Sequence, residues 1–174
     1  MKRILGALVF LAVAGLGFAA SAQTTHIINF QVVEVVAVAL SDATAITLQT
    51  VAPLVAGNPP TGQTNATKYL RYTTVNAAGL NRTVNAQMSV AAPVGTRLDM
   101  TAAPVAGQGT TAGIKTLNNL TATSVITTIP SCFTGILATS GALLTYSLVV
   151  VTPSLLVVSA AVPVTITLTL TDAA

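Results

Sequence analysis

Val164-Thr165-Ile166-Thr167-Leu168-Thr169-Leu170-Thr171 alternates aliphatic and hydroxyl side chains without a break. Successive side chains of a strand point to opposite faces, so the pattern puts Val164, Ile166, Leu168 and Leu170 on one surface and four threonines on the other. A helix, at about 3.6 residues per turn, scatters both sets. Pro163 stands in front of the run, where a missing backbone donor is tolerated.

The same period recurs toward the other end of the chain. Ile28, Phe30 and Val32 share one face and Asn29 and Gln31 the other, which predicts an extended N-terminal strand. Over 33–40 both faces are mostly apolar, as in a strand covered on both sides, with Glu34 at a bulge or an edge. Further strands are predicted over 45–51, 68–75, 83–90, 97–102, 113–117, 122–129, 143–151 and 155–159. Glycine and proline punctuate the connections at 53–64, 93–95, 104–113, 130–141 and 152–154. No helix signature stands out. Many short strands joined by long Pro/Gly-rich connections predict an all-β chain, a single immunoglobulin-like Greek-key β-sandwich.

With 52% hydrophobic residues, 6% charged residues and a mean hydropathy of +0.78, the chain is too apolar for disorder. Met1-Lys2-Arg3, an apolar run from Ile4 to Ala20 and the closing Ala20-Ser21-Ala22 make the three-part pattern of a secretory signal peptide. Residues 1–22 are therefore read as a cleaved leader and 23–174 as one β-sandwich domain. The expected location is secreted, at the cell surface or outside the cell, with the periplasm as the alternative. No later segment stays apolar for the roughly eighteen residues a spanning helix needs, so no stable membrane span is expected after the leader. Beyond residue 22 the chain carries five basic and four acidic side chains, so its pI near 9.4 owes much to Lys2 and Arg3. The remaining cations are scattered singly, and no nucleic-acid partner is expected.

The side chains of most enzyme chemistry are scarce. His26 is the one histidine, and no metal or cofactor site is expected from it. Glu34, Asp42, Asp99 and Asp172 are four carboxylates spread along the chain; each reads as a solvated strand end or turn residue rather than half of a hydrolytic pair. No Gly-x-Ser-x-Gly elbow occurs, so no catalytic residue is named and no enzyme is expected. Cys132 has no partner in the chain and reads as a small buried hydrophobe, with an intermolecular disulfide or a reactive thiol as the alternatives. Asn65, Asn81 and Asn119 each open an Asn-x-Thr triplet, a pattern chance supplies in a chain this rich in Asn and Thr. Lys68, Tyr69, Arg71 and Tyr72 form either a recognition patch or an edge or sandwich-rim strand, with Lys68, Leu70 and Tyr72 on one face and Tyr69 and Arg71 on the other.

The alternating segments at the two ends, Ile28/Phe30/Val32 and Val164/Ile166/Leu168/Leu170, resemble those of secreted bacterial fibre subunits, the chaperone–usher pilins and the TasA-like biofilm fibre proteins. The resemblance implies a homo-oligomer in which the extended N-terminal strand of one subunit completes the sandwich of its neighbour by strand addition. The sequence departs from the pilins in its unpaired Cys132 and in Ala173, which stands where they carry a tyrosine. The functional expectation is a secreted structural subunit of a self-assembling filament or surface layer, with Ile28, Phe30 and Val32 as assembly strand and Val164, Ile166, Leu168 and Leu170 as acceptor. The alternative is a monomeric binding module or adhesin that presents its loops.

Overall fold

The computed structural model describes residues 24–173; the expected leader over residues 1–22 and the expected cleavage point at Ala22 lie outside them. The chain divides into two units, 1–31 and 32–174. In the first, residues 24–31 belong to no strand, and Phe30 is 92% exposed.

The second unit is all-β and antiparallel throughout. Its strands are β1 (Val35–Leu40), β2 (Thr50–Val51), β3 (Thr61–Gly62), β4 (Thr64–Val75), β5 (Arg82–Met88), β6 (Thr96–Ala103), β7 (Thr110–Thr111), β8 (Lys115–Thr116), β9 (Thr123–Ile129), β10 (Cys132–Phe133), β11 (Ala142–Val150) and β12 (Ile166–Asp172). One sheet runs β1-β4-β11-β6-β8, with β10 also on β4, and another runs β12-β5-β9-β7. A small ribbon pairs β2 with β3. From β4 to β10 the chain changes between the two larger sheets at every connection, so tight hairpins are few and the loops carry the crossings.

Period-2 alternation decides which side chains meet. In β4, Lys68, Leu70, Tyr72 and Thr74 are buried while Tyr69 and Arg71 are not. Leu70, Tyr72, Met100, Ala102 and Leu144 from the first sheet form one apolar cluster with Val84, Ala86, Met88, Val125, Ile126, Ile129 and Leu170 from the second. In β9 the register slips twice against β5, and Val125 and Ile126 are buried in succession. Thr128 there has φ 50°, a left-handed backbone uncommon for a β-branched residue, and its hydroxyl donates to that of Thr110 at 2.8 Å.

Several local expectations differ from what forms. β4 is flanked on both sides, by β1 and by β11 and β10, so it is not an edge strand. Residues 155–159 form no strand: Pro153–Leu155 is a 3₁₀ turn, and the amides of Val151 and Thr152 end β11 by donating to the Gly95 carbonyl. An apolar run has no ladder without a neighbour to pair with. Of 45–51 only Thr50–Val51 pairs, and of 113–117 only Lys115–Thr116. Conversely, β3, β7 and β10 lie inside segments read as loops. Among the described residues no helix is long and apolar enough to cross a membrane.

Candidate functional site

Among the described residues, each of the two larger sheets ends on a strand with one free side: β1 pairs there only with β4, and β12 only with β5. Every residue of β1 is exposed, although its sequence is Val35-Val36-Ala37-Val38-Ala39-Leu40. A free edge of this composition offers both unpaired backbone groups and apolar side chains to another strand. Between the two edges lies an apolar cleft of about 150 Å³ lined by Val38, Ala39, Leu40, Leu70, Ile166 and Leu168.

Of the expected acceptor residues, Ile166 and Leu168 line this cleft. Val164, Ile166 and Leu168 are half-buried against the core and Leu170 is buried, while Thr165, Thr167 and Thr169 face outward. Val164 lies just before β12 rather than in its ladder. Of the expected assembly strand, Ile28 and Phe30 belong to the first unit, and Val32, at the start of the second, is exposed and outside any strand.

At the far end of the edges a buried cation joins them. The Arg82 side chain is 6% exposed, whereas those of Glu34 and Asp172 are 54% and 68% exposed. Its guanidinium donates to a Glu34 carboxylate oxygen and to Asn76 Oδ1 at 3.0 Å, and forms an ion pair with Asp172 Oδ1 at 3.0 Å. Glu34 precedes β1 and Asp172 ends β12, so one side chain ties the start of one edge to the end of the other. Beside it, Val32, Val33 and Glu34 face Val75, Asn76, Ala77 and Ala78 across an open cavity of about 330 Å³. The sequence signal for this clamp was the scarcity of charge itself, since a cation buried by its strand position requires an acid.

The residues read as a recognition patch separate by face. Lys68 is buried and its Nζ donates to Asp42 Oδ2 at 2.5 Å and to Thr44 Oγ1 at 2.8 Å. The Lys68 ammonium, with the hydroxyl and amide of Thr44, holds the Asp42 carboxyl well below the usual carboxylate range. Tyr72 is buried with its hydroxyl donating to the Gln108 carbonyl at 2.6 Å, and burial raises its pKa. On the other face, Arg71 donates to the carbonyls of Ile136 and Ser41, both at 2.9 Å. The four carboxylates are taken up by cations: Glu34 and Asp172 by Arg82, Asp42 by Lys68, and Asp99 by Arg97 at 3.0 Å. Cys132 is half-buried in β10, 3.9 Å from the Thr74 hydroxyl.

No family model, no curated protein and no solved structure matches the chain.

Proposed function

We propose that this chain is a secreted structural subunit that self-associates by strand addition, its two larger sheets forming a Greek-key β-sandwich open along one side. The observation that carries the reading is the pair of free edges, β1 and β12, flanking a cleft lined by aliphatic side chains. Ile28, Phe30 and Val32 of a neighbouring copy supply the added strand, with Phe30 as its one large ring. Burying such a ring contributes a few kcal/mol, about 2 or more, so assembly depends heavily on it. The leader pattern at residues 1–22 supports the secreted location.

The test is Phe30→Ala, followed by sedimentation, negative-stain microscopy and thermal melting. Filaments formed by the unsubstituted chain should be weakened or lost, with the melting temperature of the monomer unchanged. A destabilised monomer with undiminished assembly overturns the reading. A chain that stays monomeric at high concentration, substituted or not, turns it toward the loop-presenting binding module.

A further inference from the structure

β1 is attached differently from every other strand of comparable length. Its six residues are all exposed and none belongs to the apolar cluster, whereas β4, β5, β6, β9, β11 and β12 each bury at least one residue there. What holds β1 is polar: a backbone ladder on β4, unbroken from Val35 opposite Val75 to Leu40 opposite Leu70, and the Glu34 carboxylate on Arg82 at its start. Just past its end the chain is fixed. The Ser41 amide donates to the Tyr69 carbonyl at 2.8 Å, and the Ser41 carbonyl accepts from Arg71 at 2.9 Å. Asp42 and Thr44 hold the buried Lys68 at 2.5 and 2.8 Å. No strand precedes β1 among the described residues, so its departure unpairs no other.

A ladder with few buried apolar contacts opens at lower cost than a core strand. The buried charge does not oppose the opening either. When Glu34 leaves with β1, Asp172 and Asn76 stay on Arg82, so of the two carboxylates of the clamp one travels and one remains. Departure uncovers a specific seat: the β4 backbone over Leu70–Val75, with Leu70, Ile166 and Leu168 beside the places of Val38 and Leu40. The segment shown to fit it, in this register, is β1 itself, and β1 of a second copy fits it identically. Reciprocal exchange restores every bond of the closed monomer, so the two states differ in the hinge at Leu40–Ser41 and in the entropy of association. An arm tethered to its own body acts at an effective concentration on the order of millimolar. The closed monomer therefore prevails in dilute solution, and the exchanged pair forms on refolding at high concentration.

We propose that β1 is an exchangeable arm, and that the β4 edge over Leu70–Val75 receives β1 of a second copy in a two-fold dimer. The exchange does not rest on the strand-addition reading, in which β1 stays on its own β4 and residues ahead of it are added to a neighbour. The experiment uses the full chain carrying Phe30→Ala, Cys132→Ser, Ala37→Cys and Thr73→Cys; positions 37 and 73 face each other across the ladder and both are exposed. The chain is unfolded and refolded under reducing conditions at about 1 mM, where exchange competes with closure. Dimer and monomer are separated by size exclusion, oxidised separately after dilution and run on a denaturing gel without reductant. The dimer should give covalently joined chains and the monomer single chains. Val35→Cys with Val75→Cys, in place of the first thiol pair, repeats the reading two residues along the same ladder. Joined chains from either thiol pair in the dimer support exchange. A dimer that yields only single chains with both pairs, or no dimer after refolding, overturns the proposal. Filaments that survive Phe30→Ala count against strand addition alone, since the gel reads only whose β1 lies on whose β4.

Discussion

Arg82 has two carboxylates where one suffices, and that redundancy makes a sharp energetic prediction. Glu34→Gln leaves the guanidinium with Asp172 and Asn76, and Asp172→Asn leaves it with Glu34 and Asn76. Each carboxylate is more than half exposed, so each single substitution behaves like the loss of a surface pair and costs about 1 kcal/mol or less. Together they leave a buried guanidinium with no anion, which costs about 3–5 kcal/mol. The double variant should therefore exceed the sum of the singles by roughly 2 kcal/mol, within the range found for neighbours sharing one partner. Arg82→Met removes the buried charge itself and returns two already exposed carboxylates to water, so it should cost less than the double carboxylate variant. Urea unfolding of the four variants and the parent gives the cycle directly. A double variant that costs only the sum of its parts, within about 0.5 kcal/mol, refutes the clamp as a single charged unit.

Gly141 has φ +106°, and a Cβ there meets the Leu70 carbonyl oxygen at 2.1 Å and carbon at 2.8 Å. Gly141→Ala should therefore cost about 3 kcal/mol or more in urea unfolding, whereas Gly79→Ala, at φ +78° in open space, should cost only about 1–2 kcal/mol. The depressed pKa of Asp42 contributes stability that is present above its ordinary value of 3.8 and is lost as pH falls through the folded value. Acid unfolding curves of Asp42→Asn should accordingly be flatter than those of the parent below that pH. Burial pushes Tyr146 up to about 12, so the neutral phenol stabilises the fold below pH 10.0 and that contribution is lost as pH rises toward 12. Tyr146→Phe should flatten the alkaline limb of a stability profile; an unchanged limb contradicts the assignment.

What was legible in the sequence is what period 2 encodes. β12, β4, β5 and β11 lie where alternation put them, and alternation also placed Lys68 on the same face as Leu70 and Tyr72. The long-range partners were not legible. Asp42 reaches Lys68, and Glu34 and Asp172 reach Arg82, only through strand pairing, which no local pattern specifies. The same limit accounts for 155–159: Val157 and Val158 have strong strand propensity, yet β11 ends at the Gly95 carbonyl and among the described residues no strand pairs with them. β3, β7 and β10 err the other way, being two-residue ladders formed because a neighbouring strand passes by.

The two free edges belong together because of how the charges are placed. Among the described residues, seven of the nine Asp, Glu, Lys and Arg side chains form ion pairs; the others are Arg71, bound to two carbonyls, and Lys115. Sheet edges are ordinarily protected by charge, proline or a bulge. β1 contains none of these, and the one charge in β12, Asp172, turns to Arg82. The clamp holds β1 and β12 together at the Glu34–Asp172 end, while toward Leu40 and Ile166 the edges border the open cleft. Under the proposed strand addition, the added strand borders the cleft beside Leu40 and Ile166, and its apolar residues alternate to face it.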